Sequence, residues 1–126
     1  MTKSVISTQK APAAAGPYSQ AVSAAGLIFC SGQIPVDPAT GELIEGSIAD
    51  QTRRCMDNLA AVLRAAGSDL HNIVKVNVYL ADIADWPEFN EAYEPFFASE
   101  PPARVAIGVG ALPKGARVEV ECVALA

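Results

Sequence analysis

The sequence contains more apolar strand segments than its predicted helices can cover. Residues 73–80 and 116–124 alternate apolar and polar side chains, and residues 27–30 and 103–109 are shorter apolar runs, a pattern typical of strands. Only two segments have helical periodicity, and two helices can shield one face of a sheet of five or six strands. The other face needs a partner. Homo-oligomerisation through the sheet is the simplest solution, and a sheet that curls over itself is the alternative.

The longer helix is predicted to begin at Ser47 and to end before Gly67. Ser47 can cap the helix, and Asp50 places negative charge in the first turn, where the helix dipole favours it. Gly67 suits the position that ends a helix. Residues spaced by three or four positions form one core-facing stripe: Ile48, Thr52, Cys55, Leu59, Val62 and Ala66.

The strand at residues 73–80 is predicted to have one apolar face. Its members are Val74, Val76, Val78 and Leu80, whereas Lys75, Asn77 and Tyr79 share the other face. Ala25-Gly26 is predicted to be the hairpin turn before the apolar run at 27–30.

The second helix is predicted to follow the strand at 73–80. Asp85 and Glu88 resemble a capping box, and Pro87 is tolerated in a first turn. Pro95 should bend or shorten the helix near its end. The aromatic residues expected to be buried are Trp86, Phe89, Tyr93 and either Phe96 or Phe97.

Composition excludes several classes of protein. Hydrophobic residues make up 51% of the chain and charged residues 18%, which excludes intrinsic disorder, and residues 1–126 are expected to form a single domain. The formal net charge of −5 argues against general attraction to nucleic acid or anionic lipid. No apolar run approaches the length of a membrane span, and the N-terminal residues lack a secretory signal. These features predict a cytoplasmic protein.

The cysteines and the single histidine restrict the available chemistry. Cys30, Cys55 and Cys122 lie far apart, which indicates reduced, buried thiols rather than a disulfide framework. His71 is the only histidine and is expected in a solvated loop, so we expect no zinc site and no other metal site.

A few polar residues remain as candidates for chemistry. Arg104 opens an apolar strand and must face solvent, an acidic partner or an anionic ligand; composition alone favours a salt bridge with a carboxylate. Glu119 and Glu121 share one face of the last strand, where carboxylates are usually solvated, but one beside a cavity would be a candidate general base. The hydroxyl of Ser31 is expected to tie a bend.

Five segments together resemble the Rid family, the reactive intermediate deaminases of the YjgF type. The segments, in order, are GPYSQAV (16–22), SGQIPVDPATGE (31–42), QTRRCMDNLAAVLRAAG (51–67), IVKVNVYLADIADWPEFNEAYEPFF (73–97) and PPARVAIGVGALPKGARVEVECVA (101–124). The likeness spans nearly the whole chain.

The resemblance implies an α+β fold similar to chorismate mutase, a mixed six-stranded sheet with two helices on one face. It also implies a homotrimer with a central barrel and active sites between subunits. The implied activity is hydrolysis of enamines and imines such as 2-aminoacrylate and 2-iminobutanoate to 2-keto acids and ammonia. No cofactor is implied, because the substrate is already reactive.

The resemblance also assigns roles to particular residues. The implied catalytic residues are Arg104, Glu119 and Tyr18. Arg104 matches the arginine that grips the substrate carboxylate, Glu119 the glutamate that holds a water, and Tyr18 the tyrosine that lines the cavity. The implied substrate-binding residues are Arg104, Ser31, Gly32 and Ala106.

The chain departs from the family pattern after Arg104. Val105-Ala106 replaces Ser-Cys, and Ile107-Gly108-Val109 replaces Val-Glu-Val, so the family's cavity cysteine is Ala106 here. The backbone carbonyl of Ala106 can still take the family's role in the cavity, because it does not depend on the side chain. Loss of the thiol implies a slightly wider cavity and a changed imine preference.

Three other functions stay open at this point. One is a pathway-specific deaminase that acts on a larger enamine of the 2-aminomuconate type. Another is a ribonuclease or translation inhibitor, which the acidic charge and the single histidine argue against. The last is a ligand sensor or holdase without turnover.

Overall fold

The computed structural model describes residues 2–126, in which six strands form one mixed sheet. The strands are β1 (Ser4–Ile6), β2 (Ala21–Ala24), β3 (Leu27–Gln33), β4 (Ile73–Leu80), β5 (Ala103–Gly108) and β6 (Val118–Leu125), and the helices are α1 (Ile48–Ala65) and α2 (Trp86–Tyr93). The strand order is β1-β2-β3-β6-β4-β5, with β4 and β5 parallel and the other neighbours antiparallel. Both helices pack on the same face, which confirms the α+β architecture.

The first helix forms as its sequence predicts. The Ser47 hydroxyl accepts from the Asp50 N–H at 3.1 Å, and the Asp50 carboxylate accepts from the Ser47 N–H at 3.3 Å, which together make a capping box. Gly67 follows the helix with a φ of +81°, a conformation that glycine adopts without strain. The predicted stripe is buried against the sheet except for Ala66, which is half-buried.

The strand β4 differs from its prediction at Val74. The register with β6 shifts between Ile73 and Lys75, and this irregularity turns Val74 outward, where it is 41% exposed. Ile73 instead enters the core beside Val76. The prediction that Val74 shares one face with Val76, Val78 and Leu80 is therefore wrong.

The helix α2 ends as predicted, but its start differs from the prediction. Asp85 makes no capping hydrogen bond; its carboxylate accepts from Arg117 Nη2 at 3.0 Å, so the predicted capping box is wrong. Trp86 is 43% exposed rather than buried, whereas Phe89 and Tyr93 are buried as expected. The helix ends at Tyr93, and a 3₁₀ turn containing Pro95 follows, which agrees with the predicted shortening.

The sheet face opposite the helices carries exposed apolar side chains from both halves of the sheet. We call it the open face; its exposed apolar residues include Val5, Phe29, Val105, Ile107 and Leu125. A large apolar sheet face of this kind is typical of an association surface. The structure thus confirms that the helices cover one face and leave the other uncovered.

All three cysteines are free and buried, as expected. Burial raises the pKa of the Cys55 thiol well above its usual range. Cys30 and Cys122 lie opposite each other on β3 and β6, and the hydrogen bond between them raises the pKa of Cys122. His71 is exposed, and its Nδ1 lies 3.2 Å from Asp69 Oδ1.

Across residues 2–126, His, Cys, Asp and Glu side chains nowhere gather in threes that could hold a metal ion. None of the helices in this part of the chain has the length and apolar character that crossing a bilayer requires.

Replacing Ser47 with alanine tests the capping box. Ser47→Ala removes the acceptor for the Asp50 N–H, and we expect the free energy of unfolding to fall by about 1 kcal/mol. Urea denaturation at one fixed protein concentration measures this change. Ser47→Asn, which retains a capping acceptor, should remain close to the wild type, and equal losses in both variants would contradict the capping role.

Candidate active site

Arg104 lies on the helix-covered side of β5, over two aromatic rings of α2. Its guanidinium carbon is 5.7 Å from the Phe89 ring centroid and 5.0 Å from that of Tyr93. Among residues 2–126, no carboxylate forms an ion pair with Arg104. The salt bridge that composition favoured is therefore wrong, because cation–π contacts hold the guanidinium and leave its hydrogen-bond donors free.

A cavity of about 390 Å³ opens beside this guanidinium, at the edge of the sheet. It lies between the end of α2, the turn after it and the start of β5, and its lining residues are Asn90, Tyr93, Glu94, Phe97, Ala98, Pro101 and Arg104. The volume is ample for a small organic acid. An unpaired arginine at such a cavity is suited to hold a carboxylate through two parallel hydrogen bonds.

Two buried polar atoms near the cavity have no hydrogen-bond partner within the described chain. They are Oδ1 of Asn90 and Oη of Tyr93, both in residues that line the cavity. Burial raises the pKa of Tyr93 to about 12, so the phenol is neutral and can donate. Unsatisfied buried polar groups are uncommon, so their presence in two lining residues marks this cavity as a candidate site.

Asn90 was not predicted from the sequence as a site residue, and Tyr93 was predicted only as a buried aromatic residue. A polar residue within the aromatic segment FNEAY was the one available signal.

A second group of predicted residues gathers at the end of β3. The Ser31 hydroxyl donates to the Ser19 carbonyl at 2.6 Å, which ties the bend as expected. Tyr18 is 51% exposed, and its Oη accepts from the Ala15 N–H at 3.1 Å. Tyr18 and Ser31 line one cavity of about 480 Å³. Tyr18 and Gly32 line another, of about 300 Å³.

Gly32 lies directly against the side chain of Glu119. A Cβ at this position would lie 2.9 Å from Glu119 Cδ, closer than such atoms approach, so only glycine leaves the carboxylate in place. The half-buried Glu119 faces the open side of β6. Its burial, followed by the negative charge of Glu121, raises its pKa.

Glu121 is held two residues further along the same face. Its Oε1 accepts a hydrogen bond from Tyr79 Oη and another from Asn77 Nδ2, the latter at 3.2 Å. The hydrogen bond to Glu121 raises the pKa of Tyr79 to about 12, which keeps the phenol protonated. The carboxylate of Glu121 is thus fixed close to Glu119.

One chain does not bring all the predicted site residues together. Arg104 and Ala106 alternate with Val105 and Ile107 along β5, so they lie on the helix-covered side, whereas Glu119 lies on the open face. The candidate residues therefore form two separate groups, which we call the two partial sites, one around Arg104 and one around Glu119.

Comparison with known proteins relates this chain to a single family. The model of the family described as Endoribonuclease L-PSP matches residues 8–126. The chain is 48% identical over 124 residues to a RutC family protein of Pyrococcus abyssi, covering 98% of each. It is 49% identical over 125 residues to the human protein named 2-iminobutanoate/2-iminopropanoate deaminase, covering 99% of this chain and 91% of the human one.

Solved structures show the same relationship. YyfA of Yersinia pestis, described as a Rid family protein of unknown function, superimposes with a TM-score of 0.96 at 44% identity and covers 99% of this chain and 100% of its own. TdcF of E. coli, solved with bound serine, has a TM-score of 0.93 at 39% identity, with 98% of each chain covered.

Replacing Glu121 with glutamine tests the electrostatic coupling of the two carboxylates. Glu121→Gln removes a negative charge that raises the pKa of Glu119, so the Glu119 pKa should fall toward its ordinary value without reaching it, because burial remains. Titration of the glutamate carboxyl carbons by NMR measures this shift. An unchanged Glu119 pKa in Glu121→Gln would show that the two groups are not coupled. Glu45→Gln, which alters an exposed glutamate elsewhere, serves as the control.

Proposed function

Because the chain belongs to the L-PSP endoribonuclease family, the group of RidA-type YjgF proteins, we propose that it deaminates small 2-enamine and 2-imino acids. The proposed substrates are 2-aminoacrylate and 2-iminobutanoate, and the products are 2-keto acids and ammonia. Mammalian relatives at 47–49% identity are named for this activity. The observation that carries the proposal is the unpaired Arg104 guanidinium beside a cavity that accommodates a small acid.

Arg104 supplies the anchor for the substrate. A 2-imino acid carries a permanent carboxylate, and the guanidinium fork matches it with two charge-assisted hydrogen bonds. The rings of Phe89 and Tyr93 hold the guanidinium in place before the substrate arrives, so little ordering is needed on binding. Serine, which is bound in the TdcF structure, also carries a carboxylate next to a nitrogen-bearing carbon, and this supports a small amino-acid-like ligand.

Glu119 is proposed to handle the water. The enamine first takes a proton on its terminal carbon and becomes the protonated imine. Water then adds to the C=N carbon and loses a proton to the carboxylate, which gives a carbinolamine. The carboxylate returns that proton to the nitrogen, the C–N bond breaks to release ammonia, and the remaining hydroxyl proton passes to the carboxylate as the carbonyl of the keto acid forms. Because the pKa of Glu119 is raised, it lies closer to neutral pH than that of an ordinary glutamate, which suits a group that both accepts and returns a proton.

The remaining site residues are proposed to shape the cavity. Asn90 and Tyr93 offer unpaired polar atoms to the substrate or to its water. Tyr18, Ser31 and Gly32 would line the side that carries Glu119. Ala106, on the side of Arg104, would leave more room than the family's cysteine.

The complete site is proposed to form between copies of the chain in a homotrimer. Arg104 and Glu119 lie on different sides of one sheet, so a second copy must supply one of them. Stacking of three open faces into a central barrel would bury the apolar side chains that the helices leave uncovered.

A deaminase for a larger enamine, of the 2-aminomuconate type, is the second candidate. The cavity of about 390 Å³ and the small side chain of Ala106 favour it. Turnover of small and large enamines, compared directly, separates the two functions.

Substitution of Arg104 tests the anchor. Arg104→Ala should reduce kcat/KM at least tenfold, because a charge-assisted contact contributes about 1.5–3 kcal/mol, and misplacement of the C=N carbon adds to the loss. The assay follows keto-acid formation when the protein is added to a dehydratase reaction that generates 2-aminoacrylate.

Arg53→Ala is the matched control, because Arg53 is exposed and its one ion pair among residues 2–126 is with Asp50 on α1. Wild-type turnover in folded Arg104→Ala, or no acceleration by the wild-type protein itself, would refute the proposed function.

Substitution on the open face tests the assembly. Phe29→Lys places a charge among apolar side chains that would be buried between copies, and we expect the assembly to dissociate toward monomers. Light scattering coupled to size exclusion measures the mass. Trp86→Lys, which changes a similarly exposed aromatic residue on the helix side, should leave the mass unchanged. An intact assembly in Phe29→Lys would argue against contact through this face.

A further inference from the structure

A basic groove lies on the outer side of α1, away from the residues of the candidate active site. It has a volume of about 510 Å³ and runs between α1 and the extended segment at residues 8–10. Lys10, Arg54 and Arg64 line it together with one carboxylate, Asp57. Three cations around one cavity are unexpected in a chain with a net charge of −5.

The spacing on α1 places the groove residues on one helix face. Arg54, Ala61 and Arg64 follow one another at intervals of seven and three residues, close to whole turns of helix. The small side chain of Ala61 between the two arginines leaves the space into which both can reach. The groove is therefore a feature of the helix surface and not of one mobile side chain.

The buried side-chain amide of Asn58 holds Arg54 in place. Its Nε donates to Asn58 Oδ1 at 3.1 Å, and Asn58 is fully buried. The Asn58 Nδ2 in turn donates to the Val36 carbonyl at 2.9 Å, which fixes the orientation of the amide. Within residues 2–126, the terminal guanidinium nitrogens of Arg54 have no protein partner and remain available to a ligand.

The opposite wall of the groove is also fixed. Gln20, which is buried, accepts from the Thr8 N–H at 2.7 Å and donates to the Thr8 carbonyl at 3.0 Å. The Lys10 N–H donates to Thr8 Oγ1 at 3.2 Å. These bonds fix the backbone at residues 8–10, which carries Lys10 on the groove wall opposite α1.

We propose that this groove binds a small dianion of the phosphate type, such as a phosphate monoester. The planar fork of a fixed arginine matches phosphate oxygens, and Lys10 and Arg64 add two further charges. The volume exceeds the space that a phosphate group needs, which leaves room for an organic substituent beside Asp57. Because α1 lies on the side away from the open face, association through that face leaves the groove accessible.

Titration of the full-length protein with inorganic phosphate, followed by amide NMR at constant ionic strength, tests the proposal. The expected result is saturable shifts confined to the groove, at Thr8, Lys10 and Ala61. Succinate, a dianion without phosphate geometry, should bind at least about fivefold more weakly.

Arg54→Gln and Arg64→Gln should each weaken phosphate binding about tenfold, the loss expected for one charge-assisted contact. Arg53→Gln, at an exposed position that pairs with Asp50, should bind phosphate like the wild type. Both arginines are on the helix surface, so at least one variant can be assayed in the folded state.

Three results would overturn the proposal. They are shifts that rise without saturation over the whole surface, wild-type affinity in both Arg54→Gln and Arg64→Gln, and a loss in Arg53→Gln as large as theirs. Binding of succinate as tight as that of phosphate would overturn the phosphate assignment. Deaminase turnover plays no part in these readouts, so they are independent of the proposed function.

Discussion

The alternation of side chains along a strand decides where the reactive groups of this chain can lie. On β5 it places Arg104 against α2, and on β6 it places Glu119 on the open face. No side-chain rotation moves either group through a sheet, so one copy holds the proposed anion-binding group and the proposed acid–base group apart. The same alternation puts Val105, Ile107 and Phe29 on the open face, where their exposure favours association. The proposed assembly and the proposed chemistry therefore depend on one geometric rule.

The local environments of the two partial sites are suited to their proposed roles. Around Arg104, aromatic rings hold a cation without neutralising it, and the buried atoms Asn90 Oδ1 and Tyr93 Oη remain unsatisfied. Around Glu119, partial burial and a fixed neighbouring carboxylate favour the protonated form, and the absence of a side chain at Gly32 makes room for the carboxylate. In the proposed function, a bound acid and its water would form hydrogen bonds with these groups.

Periodicity predicted the first helix, the strand at 73–80 and the uncovered sheet face, because each depends on nearby residues. It failed where the outcome depends on distant ones. Val74 turns outward because the register with β6 shifts beside it. Asp85 does not cap the helix, and its carboxylate instead accepts a hydrogen bond from Arg117, 32 positions away. Arg104 and Glu119 were predicted as site residues from sequence motifs, and the motifs did not reveal that the two residues lie on opposite faces of the sheet. Asn90 was missed because an unsatisfied buried atom is visible only once the cavity around it is known.

Complementation between two variants tests most directly whether the site is shared between copies. Arg104→Ala and Glu119→Gln should each be inactive alone. When the two are dissociated and reassembled together, a shared site predicts that activity returns, to about a quarter of the wild-type value for random mixing, because that fraction of sites receives both native residues. A mixture no more active than the average of the two separate variants would contradict the account, since it would mean that Arg104 and Glu119 act within one copy or that neither takes part.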